Sequence, residues 1–125
     1  MKKFLVIVAL VLALATIFCA CSQAKPTEGE KSFTVTVVHA DGSSKDFSYK
    51  STELYVGAVL QAEGLIEGEE GEFGLYIKVV DGEKAVYEED SAYWAFYVNG
   101  EYAAQGIDLT PIEDGAVYKL EYTIG

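Results

Sequence analysis

Three patterns of apolar and polar positions divide the chain. Residues 4–18 form an apolar run with Thr16 as its single polar interruption, and residues 22–32 carry no large apolar side chain. From Phe33 onward, β-branched and aromatic residues alternate with polar ones. Alternation with a period of two marks half-buried strands. Residues 33–38 (FTVTVV) read as a first strand, Asp41-Gly42-Ser43-Ser44 as a turn, and residues 45–49 as the returning strand with Phe47 and Tyr49 on one face. Val56, Val59, Leu60 and Glu63 are then spaced as one face of a helix. Ser51 and Thr52 suit its N-cap, Glu53 suits the positive end of its dipole, and Gly64 stands where a left-handed C-cap is wanted, with Leu65 placed for the closing apolar contact. The helix is short and contains Gly57, so packing must hold it.

Residues 67–74 read as an acidic, glycine-rich loop. Residues 75–80 form a strand, which Asp81-Gly82 turns back toward Ala85-Val86-Tyr87. Residues 93–98 are the most apolar strand, with Trp94, Phe96 and Val98 on one side and Tyr93, Ala95 and Tyr97 on the other. Asn99-Gly100 after it is the strongest short hairpin signal. The chain returns through Glu101-Tyr102, loops to Pro111, turns at Asp114-Gly115, and ends in a strand whose Tyr118, Leu120 and Tyr122 share a face. A hairpin, one helix, and a meander closed by a long strand predict an α+β class: a β-grasp-like mixed sheet of five to six strands packed on one helix, its last strand paired with its first. A helix-bearing β-sandwich is the alternative, and it fits this element order less well.

The amino-terminal run changes the picture from a bare domain to an exported one. Lys2 and Lys3, the apolar core and small residues ahead of Cys21 have the shape of a secretion signal. Phe18-Cys19-Ala20-Cys21-Ser22 resembles a bacterial lipobox, although Phe18 stands where Leu is usual. The resemblance implies that residues 1–20 are removed and that Cys21 is lipid-modified. Residues 21–32 then form a flexible tether and residues 33–125 the domain. Two or three acyl chains hold a protein durably to a membrane. The expected location is the outer face of the cell membrane.

Charge narrows the partners. Losing Lys2 and Lys3 with the signal takes the formal net charge from −11 to −13, and the chain has no arginine. Nucleic acids and anionic lipids need clustered positive charge, which is missing. Cys21 is the only cysteine left, so no disulfide framework is expected. Candidate chemistry is sparse. His39 is the single histidine and reads as a turn-flanking surface residue; the serines lie in turns and tether without an elbow motif. The acidic runs Glu67, Glu69, Glu70, Glu72 and Glu88, Glu89, Asp90 offer oxygen ligands for calcium, but neither has the spacing of a known binding loop. No enzyme is expected, and no resident cofactor.

Nine tyrosines and one tryptophan are more informative. Those near Trp94 and Tyr102 fall on a hairpin, where partial exposure is expected, and such side chains suit either recognition or cross-strand packing. The stretch YWAFYVNGEYAAQGI from Tyr93 to Ile107, followed by Pro111-Ile112-Glu113-Asp114-Gly115, resembles the transcobalamin-like C-terminal domain (the DUF4430 family). Gly64-Leu65-Ile66 and Gly74-Leu75-Tyr76-Ile77 match the same pattern. The resemblance implies a β-grasp-like fold and a ligand-facing loop at Tyr102, Ala103, Ala104, Gln105 and Gly106, beside Trp94, with Gln105 able to bond a corrin amide. It implies cobalamin or another corrinoid as ligand. The large helical barrel that encloses cobalamin in transcobalamin and intrinsic factor is missing, so a partner protein, a second copy or weak one-sided capture is implied as well. A protein- or glycan-interaction module of the same fold is the alternative.

Overall fold

The computed structural model describes residues 29–72 and 74–125; the signal at 1–20, Cys21 and most of the tether lie outside the described residues. Strands β1 (Lys31–Val38) and β2 (Ser44–Ser51) form the expected antiparallel hairpin, followed by helix α1 (Val56–Ala62). Then come β3 (Ile66–Gly71), β4 (Gly74–Val80), β5 (Glu83–Lys84), a one-turn helix α2 (Tyr87–Asp90), β6 (Ala92–Val98) and β7 (Glu101–Tyr102). A 3-10 turn (Ile107–Leu109) leads to the final strand β8 (Val117–Ile124). The large sheet has the order β2-β1-β8-β6-β7, and β1 pairs with β8 in parallel. A single parallel pair at the centre of otherwise antiparallel neighbours is the expected β-grasp arrangement.

Alternation decides which face is buried. Phe33, Val35 and Val37 of β1, Trp94 and Phe96 of β6, and Tyr118 and Leu120 of β8 enter one core with Val56, Val59 and Leu60 of α1. Each such side chain contributes about 1.5–3 kcal/mol by leaving water. Aromatic geometry locks the layer: Phe96 stacks on Tyr118 at 6.1 Å, and Tyr122 meets Trp94 edge-on at 5.6 Å.

Helix α1 ends as its sequence indicates. Gly64 has φ +75, its N–H donates to Gln61 O, and Leu65 N–H donates to Leu60 O at 2.9 Å while Leu65 is buried. Its start is a correction. The helix begins at Val56 with Tyr55 as N-cap and no side-chain cap bond. Ser51 Oγ instead accepts from Glu53 N–H, forming a local turn that ends β2. Tertiary bonds replace the missing cap: Val56 N–H donates to Thr110 O, and Ile112 N–H to Leu54 O.

The small sheet, β3-β4-β5, is the second correction. Residues 66–71 (IEGEEG), most of them within the expected 67–74 loop, pair antiparallel with β4 across a bulge between Glu67 and Gly68. A β-carbon at Gly68 would lie 2.1 Å from Tyr76 O, so glycine is what lets the two backbones meet. The strand is an acidic edge, and Glu69 pairs with Lys78 at 3.1 Å. Residues 87–90 are the third correction: the predicted return strand stops at Lys84, and a turn of helix follows, with Asp90 accepting Val86 N–H at 2.9 Å. The two acidic runs thus serve an edge strand and a short helix.

Candidate functional site

The loop after β7 is pinned at both ends and projects between them. Asn99 and Gly100 take the left-handed conformations of a tight hairpin, φ +49 and +85, and place Tyr102 opposite Tyr97. Ala103 N–H then donates to Phe96 O at 3.0 Å. At the far end Gly106 O accepts from both Leu109 N–H and Thr110 Oγ1, and Ile107 is buried beneath. Ala104 and Gln105, between these anchors, are exposed, as is Tyr102 at 65%.

A hollow lies on each side of this loop. The first, a groove of about 490 Å³, has Asn99, Glu101, Ala104, Thr110, Pro111 and Glu113 in its walls. The second, a cleft of about 260 Å³, runs between β4 (Leu75, Tyr76, Ile77) and β6 (Tyr93, Trp94, Phe96) and reaches Gly106. Tyr102, Ala103 and Gln105 border both. All six residues singled out from the sequence therefore border one continuous surface. Trp94 differs from expectation in being buried: its indole N–H donates to Glu83 O at 3.1 Å, so it forms the cleft's floor.

Sequence reasoning missed the β4 wall and the 110–113 wall. Both are assembled over long range. Tyr118, from the core, donates its hydroxyl to Pro111 O and accepts Glu113 N–H, holding the second wall in place. Asp108 Oδ1 accepts Leu75 N–H at 3.0 Å and ties the 3-10 turn to β4. No local signal in the chain announces either.

The cleft is aromatic, whereas the groove mixes polar and apolar side chains. Tyr97 meets Tyr102 edge-on at 5.5 Å, and the Lys119 ammonium lies over the Tyr97 ring at 4.4 Å. Partial burial, then neighbouring Tyr93 and Tyr97, raise the Tyr102 phenol above its ordinary 10.0. It stays neutral and can donate a hydrogen bond. The only carboxylates in the two linings are Glu101 and Glu113, both on the groove.

His39 is a further correction. Expected as a surface residue, it is only 14% exposed, with Nε2 2.9 Å from Asp81 Oδ2 and Nδ1 2.9 Å from Glu83 Oε1. Its partners lie 42 and 44 residues away, so no local pattern could reveal them. The two carboxylates occupy opposite edges of the ring, where no one ion can touch all three groups. Among the described residues no cluster of three or more His, Cys, Asp or Glu side chains is arranged to hold a metal.

Residues 55–123 match a family described as a domain of unknown function, DUF4430. A crystal structure of a candidate metal-binding protein from Ruminococcus gnavus superposes with a TM-score of 0.72 and 37% identity, covering 76% of this chain and 98% of that one. Haptocorrin in complex with Cbi superposes with a TM-score of 0.62 over 83% of this chain. The chain spans 27% of haptocorrin's length, and at 17% identity the likeness is one of fold alone. No curated protein matches the sequence.

Proposed function

We propose that this chain, which belongs to the DUF4430 family, is a non-enzymatic binding module, capturing a bulky small molecule across the loop 102–106. The observation that carries this reading is the convergence of Tyr102, Ala103 and Gln105 on two hollows, the larger of which is by itself within the size range of ligand sites. Exposed tyrosine offers flat apolar area with a hydrogen-bonding tip, and Gln105 adds an amide. Carboxylates at Glu101 and Glu113 favour a neutral or cationic ligand over an anionic one.

Within that class a corrinoid is the ligand we favour. Haptocorrin, which shares the fold, was solved with Cbi (cobinamide) bound. An open surface of this size covers one side of so large a molecule, whereas ligand sites commonly bury about 70–90% of their ligand. The chain alone therefore captures the ligand weakly from one side, and a partner protein or second copy would complete the enclosure. The metal-binding description of the Ruminococcus gnavus relative finds no matching donor set among the described residues, and no metal enters the reading. Attachment to the outer face of the cell membrane through a lipidated Cys21 completes it. Replacing Cys21 by alanine should abolish incorporation of labelled palmitate.

The binding reading is tested by titrating the full-length chain in detergent with cobinamide and cobalamin, following corrin absorbance and binding heat. Saturable binding that weakens at least tenfold in Tyr102→Ala and Gln105→Ala is expected, about 1.4 kcal/mol or more at each contact. Absence of binding at millimolar ligand would sink unaided corrinoid capture and leave a macromolecular partner as the occupant.

A further inference from the structure

His39 joins the two sheets through its two ring nitrogens. It follows β1 of the large sheet and is fixed in the β1–β2 turn, donating its N–H to Ser43 O and accepting from Gly42 N–H. Its two carboxylate partners both belong to the β4–β5 hairpin of the small sheet. Asp81 sits in the hairpin's turn with φ +47 and donates its own N–H to Leu65 O, while Glu83 opens β5. Glu83 is a junction. Its Oε1 also accepts Ala40 N–H at 3.0 Å, and its backbone oxygen takes the Trp94 indole N–H. The His39 ring stands edge-on to Trp94 at 6.0 Å. From the proton on His39 to the cleft floor the contact is continuous.

An imidazole with both nitrogens 2.9 Å from carboxylate oxygens needs two N–H donors, and only the protonated ring has two. A neutral ring satisfies one carboxylate and turns a lone pair toward the other. Loss of the proton must therefore release one arm of the pair. The remaining charged groups around the ring are few. Lys45 of β2 reaches Asp81 at 3.4 Å, competing for the arm on that side, and Asp41 in the β1–β2 turn adds a more distant negative charge. Trp94, from β6, is uncharged.

We propose that His39 is a proton-operated fastener. It holds the β4–β5 hairpin, and with it the β4 wall of the cleft, against the large sheet in mildly acidic surroundings and eases it as the pH rises. The bonds to Asp81 and then Glu83 hold the imidazolium above the ordinary histidine value of 6.5, so the transition lies above that value. The fastener acts on the cleft, so a ligand seated there is gripped more firmly in acid than in alkali. Its operation does not depend on which ligand that is.

The chain has one histidine and one tryptophan, so each is its own reporter. The full-length chain in detergent is titrated from about pH 5 to 9, a span bracketing the ordinary histidine value. Imidazole resonances, Trp94 emission and amide exchange of residues 78–84 are followed together. The expected result is one shared midpoint above 6.5. Above it, exchange in the hairpin, corrected for intrinsic pH dependence, should rise by about tenfold or more, as for loss of one charge-assisted bond. Asp81→Asn should return the histidine midpoint toward its ordinary value, and His39→Gln should remove the exchange transition. A wild-type midpoint at or below 6.5, or hairpin exchange that ignores the histidine titration, overturns the proposal. The wild-type titration decides it alone should either variant fail to fold. None of these readouts uses a ligand, so failure of corrinoid binding leaves the result intact.

Discussion

Replacing Gly57 with alanine sets two magnitudes against each other inside one helix. Propensity favours alanine in a helix interior by about 1 kcal/mol, so an isolated α1 would gain from the change. The tertiary structure reverses this. An added β-carbon would lie 2.8 Å from Asp108 Cα, 2.9 Å from Asp108 N and 3.1 Å from the Ile107 carbonyl carbon, all of them backbone. That backbone cannot step aside freely, because Thr110 O holds Val56 N–H and Asp108 Oδ1 holds Leu75 N–H. Overpacking costs about 1–3 kcal/mol, and straining the Asp108–Leu75 bond adds about 1 kcal/mol. The net expectation is a loss of about 1–3 kcal/mol. In a domain of this size each kcal/mol is worth roughly 4–8 °C in Tm. Urea unfolding followed by Trp94 emission measures it. Ala58→Gly, at a half-buried position of the same helix, is the control for propensity and should cost about 1 kcal/mol. If Gly57→Ala proved as stable as the wild type, or more so, the close crossing of α1 over the 3-10 turn would be wrong.

Other perturbations probe separate supports. Gly68→Ala places a β-carbon against Tyr76 O and should unzip β3 from β4, seen as lost amide protection over Ile66–Gly71; retained protection would argue against the bulge. Tyr118→Phe strands Glu113 N–H and Pro111 O, and about 1–3 kcal/mol of stability should go, read as a lower urea midpoint. Asn99→Ala loses the bond from Val117 N–H and puts alanine at φ +49, for about 1–2 kcal/mol in thermal unfolding; Asn99→Gly should recover part of it. Stability should also bend twice with pH. Because the folded pKa of His39 is raised, its share is full below 6.5 and is lost as pH rises through the raised value. Asp81, lowered from 3.8 chiefly by its bond to His39, contributes above that value and loses its share as pH falls through the lowered one. A urea midpoint that is flat across both regions would count against the His39 cluster.

What the sequence made legible was local. Alternation located β1, β2, β6 and β8, and Asn99-Gly100 fixed the β6–β7 turn, because these signals lie within a few residues of one another. The Gly64-Leu65 cap was readable for the same reason. Ile66–Gly71 was not, since glutamates and glycines have poor strand propensity and only the β4 backbone opposite makes the segment extended. The helix start was missed because Ser51 had a nearer use in its own turn. At the site, the loop residues stand together in the chain and were readable. The walls facing them come from residues 75–77 and 110–113, which only tertiary pairing delivers. His39 lay furthest out of reach, its two partners being invisible until the small sheet is placed.

The parallel pairing of β1 with β8 bears on how the domain comes into being. Thr34 faces Val117 in that ladder, and β8 lies between β1 and β6, so the middle of the large sheet joins the two ends of the domain. Closing a loop of roughly 80 residues costs on the order of 4 kcal/mol in chain entropy before any contact repays it. Hairpins such as β1–β2 form in microseconds, but this step is a long-range encounter of the kind that slows folding. Until residues 117–124 are available, the inner edge of β1 stays unpaired, with Phe33, Val35 and Val37 lacking their cover. A chain cut before β8 thus leaves the large sheet as two ribbons with no ladder between them, β2–β1 and β6–β7, with an adhesive edge on each.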